Sequence, residues 1–189
     1  MKKIFIVGAL ATLAACNSND KSKVEAMKTP ESDSSKIDNL NYPYTATYSS
    51  KFEIGDPNNS MTILNLYKDW DNNTLDNSKT SFAEMNDTLI MADGSMLTGS
   101  RDSIFATAGK MRGSMGTVQD VVQAWVPLKS IDKNENWVAI WTKEIRTGKN
   151  GKKDSSYLHE VWGFDKAGKV NKVYQFEQKS PAMMPSAKK

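Results

Sequence analysis

Cysteine is almost missing from this 189-residue chain; Cys16 is the only one. A single cysteine excludes an internal disulfide, and beyond residue 16 it excludes thiol catalysis, so packing alone must hold the fold. Histidine is equally scarce. His159 stands alone, and a histidine metal site needs partners that the chain lacks. No metal and no cofactor is expected. A surplus of one charge is missing too. Taking Lys2 and Lys3 from the 25 basic residues leaves 23 against 22 acidic ones, which is no footprint for nucleic acid. After residue 13 no apolar run approaches the roughly 20 residues that a bilayer span needs. Gly148-Lys149-Asn150-Gly151-Lys152-Lys153 lacks the spacing and the following helix of a phosphate loop, and reads as a solvated hairpin tip. Asp69-Trp70-Asp71-Asn72-Asn73 opens like a calcium loop, but Thr74 stands where glycine is needed and Thr80 where glutamate is needed.

The N-terminus has the order of a secretory signal over residues 1–15. Lys2 and Lys3 start it, and Ile4 to Leu13 form its apolar stretch. Leu13-Ala14-Ala15-Cys16 then resembles the lipobox of bacterial lipoproteins. The resemblance implies that the Cys16 thiol takes a diacylglycerol, that the chain is cut before it, and that the new amine is acylated. Several acyl chains on one residue anchor stably where one does not. The expected place is the bacterial cell envelope, lipid-anchored to a membrane, taken as the outer membrane on its periplasmic or surface side. Residues 16–42 carry the lipidated cysteine and a Ser-, Asn-, Asp- and Lys-rich stretch with no period of 2 or 3.6. As a flexible tether it spans roughly 28 Å. One domain is read over 43–181, about 140 residues, enough for a core without staples. Residues 182–189 are read as a disordered tail.

Asp56-Pro57 is a helix opening, with a capping side chain and a proline in the first turn. Ile63, Leu66, Tyr67 and Trp70 follow on one face, and Asn72-Asn73 ends the helix. A short second helix is expected before Phe82. Asp87 to Ala92 reads as a strand, Asp93-Gly94 as a two-residue hairpin turn, and Ser95 to Thr98 as the return. Gly99-Ser100 caps another helix, whose Ile104, Ala108, Met111 and Met115 share a face with Phe105 at its edge. Gly109 and Gly113 weaken its second half.

From Gly116 the period changes to 2. Strands are expected over Val118 to Ile131, Trp137 to Arg146, Ser156 to Phe164 and from Val170 on. In the first, Val122, Ala124, Val126 and Leu128 oppose Val121, Gln123 and Trp125, and Pro127 predicts a bulge or an edge. In the second, Trp137, Ala139 and Trp141 oppose Val138, Ile140 and Thr142. In the third, Leu158, Trp162 and Phe164 oppose Tyr157, His159 and Val161. In the fourth, Val170, Tyr174 and Phe176 share a face. Helices followed by a four-strand antiparallel meander predict an α+β fold.

Helix, short helix, Phe82-Ala83-Glu84, hairpin, Gly99-Ser100-Arg101, helix, and long strands ending in Leu158-His159-Glu160-Val161-Trp162-Gly163-Phe164-Asp165-Lys166-Ala167-Gly168-Lys169-Val170 resemble the nuclear-transport-factor-2-like, or SnoaL-like, superfamily. The resemblance covers roughly residues 52–178. It implies a cone: a strongly curved antiparallel sheet of about six strands, four of them long, wrapped by two to three N-terminal helices around a pocket. Members include ketosteroid isomerase, polyketide cyclases and pocketed proteins with no known chemistry, often dimeric through the sheet. In the isomerase branch a tyrosine on the first helix donates to a developing oxyanion and an aspartate after the first strand moves a proton. Tyr67 and Asp93 stand at those places, and no clear match exists for the protonated acid that completes the site.

Candidate pocket or catalytic residues are therefore Tyr67, Asp93 and His159. Each also has a plain reading: Tyr67 packs in the core, Asp93 makes a turn, and His159 is structural or exposed. Glu160 beside His159 points to the opposite face, so the two form no dyad. Trp70, Phe105, Met111, Trp141 and Trp162 are candidate pocket lining, because aromatics give rigid apolar walls and methionines adapt to shape. Three functions follow. The favoured one is a pocket that binds a small apolar ligand or a partner protein without catalysis. The second is an isomerase- or cyclase-type enzyme. The third is a structural subunit that dimerises or docks through the sheet, with Trp125, Trp137, Trp141 and Trp162 on its outer face.

Overall fold

The computed structural model describes residues 41–179. The chain divides into two units, Met1–Thr45 and Ala46–Lys189. The signal, Cys16, most of the tether and the C-terminal tail lie outside the described residues. The second unit begins with a short strand β1 (Phe52–Ile54) and helix α1 (Pro57–Asn72). A 3-10 turn (Leu75–Ser81) leads to a hairpin of β2 (Met85–Ile90) and β3 (Met96–Ser100), then to helix α2 (Arg101–Ser114). Four long strands finish it: β4 (Thr117–Ser130), β5 (Glu135–Thr147), β6 (Lys153–Phe164) and β7 (Val170–Lys179). They form one curled sheet in the order β1-β4-β5-β6-β7-β2-β3. All neighbours are antiparallel except β2 and β7, which run parallel. The fold is α+β, as the element order predicts. It has seven strands rather than six, because three-residue β1 is too short to carry a period.

Local chemistry explains the helix ends. Asp56 Oδ1 accepts from the Asn58 amide at 2.8 Å, and Pro57 occupies the first turn. Asn73 ends α1 in the left-handed region at φ 57°, and its amide donates to the Trp70 carbonyl. Ser100 caps α2 by accepting from the Ser103 amide. Two glycines do not cut α2 short, because Arg112 in its last turn is buried and fully employed. Its Nε and one amino nitrogen donate to the Trp70 and Asp71 carbonyls at 2.6 and 2.9 Å, and the other amino nitrogen to the Gly116 carbonyl at 3.1 Å. One guanidinium thus satisfies the open end of α1 and ties α2 to it.

Two strand-level expectations are corrected, and of the two readings of Pro127, a bulge or an edge, the edge holds. The hairpin tip has three residues, not two. Gly94 donates to the Met91 carbonyl, Met91 donates to the Ser95 carbonyl, and Gly94 sits at φ 81°, a turn followed by a left-handed glycine. In β4 the register shifts between Val122 and Ala124, so the bulge is at Gln123. Pro127 turns its carbonyl toward Gly55 beyond the end of β1, where a missing amide costs the ladder nothing. In β7 the register shifts opposite Gly163/Phe164, which lets Val170 and Val173 both reach the core while Tyr174 and Phe176 face outward.

The core lies between the helices and the concave face of the sheet. Ile63, Leu66, Ile104 and Phe105 from the helices meet Val138, Ile140, Trp162, Phe164, Val170 and Val173. Phe82 packs edge-on against Phe105 and Trp162, with ring centres 5.0 and 6.3 Å apart.

Candidate functional site

The core does not fill the cone. Between α1, α2, the β2–β3 hairpin and β4–β7 lies a cavity of about 340 Å³. Its walls are apolar, built from Leu66, Leu75, Phe82, Leu89, Ile104 and Phe105. Its other pole is polar: Tyr67 from α1, Asp120 from β4, Glu144 and Arg146 from β5, Glu160 from β6 and Gln175 from β7. Strand alternation places them there. Asp120 follows Val118 by two residues, Glu144 follows Val138, Ile140 and Thr142, and Glu160 stands between Leu158 and Trp162.

The carboxyls are tightly held. Glu160 accepts from the Tyr67 hydroxyl, from Trp162 Nε1 at 2.9 Å and from the Gln175 amide at 2.6 Å. Burial still keeps its pKa above the ordinary carboxylate range. Glu144 accepts from Trp70 Nε1 at 2.9 Å and pairs with Arg146 at 3.4 Å, and burial raises it too. Arg146 also reaches the Ser156 hydroxyl at 2.7 Å and Glu177 at 3.5 Å. Asp71 accepts from the Asp120 amide at 2.9 Å. Asp120 is the most perturbed. Burial first, then the negative charges of Glu144, Asp71 and Glu160, push its carboxyl up to about 8. It is neutral at pH 7 and shares a hydrogen bond with the Asp71 carboxylate. Its Oδ1 is buried and takes no hydrogen bond among the described residues. Burial and the Glu160 charge hold Tyr67 well above the ordinary tyrosine range, so it stays a neutral donor.

A cone of this shape has counterparts among solved structures. One is a protein of unknown function from Exiguobacterium sp. 255-15, described as nuclear-transport-factor-2-like. It is 12% identical, with a TM-score of 0.52, over 63% of this chain and 99% of that one. Another, of the same description, is from Burkholderia pseudomallei. It is 15% identical, with a TM-score of 0.50, over 65% of this chain and 91% of that one. The fold is nuclear-transport-factor-2-like. Identities this low establish the fold alone. No family model matches the chain. No curated protein matches it by sequence.

Within the nuclear-transport-factor-2-like cone the three candidate catalytic residues do not converge. Tyr67 lines the cavity, but its hydroxyl is committed to Glu160. Asp93 is exposed at the rim, on the hairpin tip. The Ser95 side chain and the Ser95 amide, the latter at 2.9 Å, both hydrogen-bond its carboxylate and hold its pKa low, which makes it a weak base. His159 is on the opposite face of the sheet. Its ring stacks on Trp141 with centres 4.7 Å apart and planes 6° from parallel, and Phe176 lies 6.0 Å away. Of the expected lining, Trp70, Phe105, Met111 and Trp162 border the cavity. Trp141 does not, because it shares the outward face of β5 with Trp137. Nor do the four tryptophans expected on the outer face lie together. Trp137 and Trp141 are there, but Trp162 is inside, and the Gln123 bulge puts Trp125 opposite inward-facing Ile140.

Sequence reasoning missed Asp120, Glu144 and Glu160. A signal existed for each: a carboxylate at an apolar position of a period-2 strand. Glu160 falls on the face of Leu158 and Trp162, and Glu144 on the face of Ile140. A buried carboxylate interrupting an apolar stripe needs partners, and those partners are found only in three dimensions.

Proposed function

We propose that the chain is a lipid-anchored envelope protein whose cone binds a small, largely apolar molecule without converting it. The observation that carries this is the cavity itself, about 340 Å³ of space within apolar walls and with one polar pole. Voids of that size are rare in packed interiors, where few gaps exceed a water molecule. The anchoring half rests on Leu13-Ala14-Ala15-Cys16. Palmitate labelling that survives Cys16→Ser would remove it. The binding half is tested by filling the space. Ala108 on α2 borders the cavity and is half-buried. Ala108→Trp is expected to keep the circular dichroism of the parent and to weaken binding of an apolar fluorescent probe, N-phenylnaphthylamine, by tenfold or more. Equal probe binding by parent and variant would sink this reading.

A second reading, acid–base catalysis, is favoured by Asp120. A carboxyl with a pKa of about 8 beside an apolar cavity is an acid kept neutral at pH 7, and such a group can donate to developing oxyanion charge. Against it stand the commitment of Glu160 to three donors and the place of Asp93, a weak base, at the exposed rim. The expected result is no exchange of the α-hydrogens of cyclohexanone in heavy water above the buffer rate. Exchange that Asp120→Asn abolishes would replace the binding reading with this one.

A further inference from the structure

Among the residues that line the polar pole of the cavity each side-chain donor named above is committed; the Thr142 hydroxyl, buried without a partner among the described residues, does not line it. Tyr67, Trp162 and Gln175 donate to Glu160, and Trp70 donates to Glu144. Arg146 is spread over Glu144, Ser156 and Glu177. The free capacity is an acceptor, the buried Oδ1 of Asp120. Charge has the same sign. Asp120 is faced by Asp71 from α1, Glu144 from β5 and Glu160 from β6. Of the nearby cations, Arg112 on α2 is used by three backbone carbonyls, and Arg146 is shared among carboxylates. A ligand oxygen placed at this pole meets oxygen. A ligand that brings donors and positive charge meets what the pole lacks. Among the described residues no group of three His, Cys, Asp or Glu side chains could hold a metal ion, and the remaining walls are hydrocarbon and aromatic.

We propose that the cavity takes a cationic amphiphile, an organic ammonium with its head against Asp120 and Glu144 and its apolar body between α1, α2 and the β2–β3 hairpin. The proposal rests on reading the cavity as a ligand site, and it adds the class of ligand. Tyr67 borders the same pole and gives the head an aromatic flank, while the Trp70 ring already carries the Arg112 guanidinium 5.9 Å from its centre. Because Asp120 is neutral at pH 7, a bound cation draws it into the ionised form, and the proton leaves to solvent. Affinity therefore rises with pH until Asp120 is ionised without help, near pH 8.

The test is calorimetric titration of the full chain with octylammonium, 1-octanol and octanoate, which share one apolar body. Octylammonium is expected to bind at least tenfold tighter than 1-octanol, and octanoate more weakly than either. At pH 7, heats measured in two buffers of different ionisation enthalpy are expected to report proton release. Asp120→Asn is expected to abolish that release and to shrink the preference for the ammonium. If 1-octanol or octanoate binds as tightly as octylammonium, the cationic class is wrong and the cavity reading stands. If none of the three binds, both fall together.

Discussion

Asp120→Asn is expected to stabilise the chain in mildly alkaline buffer while leaving it unchanged in acid. The sign follows from proton counting. The Asp120 carboxyl titrates near 3.8 when unfolded and is pushed up to about 8 by the fold. Below about pH 4 both states hold the proton, and the group's stabilising contribution is fully present. As pH rises the unfolded chain loses that proton while the folded chain keeps it. Stability is then lost at up to about 1.4 kcal/mol per pH unit until the folded group ionises too, near pH 8. Asparagine keeps the shape and can still donate to Asp71, but it has no proton to lose. Parent and variant should melt together at pH 4 and diverge steadily above it. At pH 8.5 the variant should be ahead by about 3 kcal/mol or more. Melting curves at pH 4, 6.5 and 8.5 decide it, and a parent that gains on the variant as pH rises refutes the buried, proton-holding carboxyl.

Removing the Glu160 carboxylate should do the opposite. Glu160→Ala takes the acceptor away from the Tyr67 hydroxyl, the Trp162 indole and the Gln175 amide together. A buried donor without a partner costs about 1–3 kcal/mol. Relief of the carboxylate's own desolvation offsets part, and a net loss of about 3 kcal/mol remains. That is a large share of the roughly 5–15 kcal/mol that holds a small domain. Glu160→Gln keeps one acceptor oxygen and should fall between parent and alanine. Thermal unfolding at pH 7 measures both, and an alanine variant as stable as the parent would mean that the three donors have other acceptors.

The outer face of the sheet has its own character. Trp141 and Phe176 are 38% and 58% exposed there, on either side of His159. The inner face meanwhile carries Glu144 and Glu160, both nearly inaccessible. This reverses the usual arrangement, with aromatics in the wet layer and carboxylates in the dry one. Strand position alone therefore leaves the face of His159 undecided. Hydrophobicity chooses the buried face of a strand only when the two faces differ, and in β5 and β6 they do not.

Short-range chemistry was legible in the chain. The Asp56-Pro57 cap, the left-handed stop at Asn73, the Ser100 cap and the four-strand meander depend on residues within a few positions of one another, and the structure has each of them. Period 2 also sorted side chains correctly within the unbroken strands β5 and β6. Parity failed where a bulge inserted one residue, at Gln123 and at Asn171, because each bulge inverts the faces of everything beyond it. Five of the cavity's lining residues, Tyr67, Trp70, Phe105, Met111 and Trp162, were legible in the sequence, but the coupling of its carboxyls was decided by tertiary structure. Asp71, Asp120, Glu144 and Glu160 are separated by up to 89 positions and belong to one helix and three strands. Only curling the sheet around α1 brings their charges into range of each other, and that proximity holds a proton on Asp120 that its sequence neighbours would have let go.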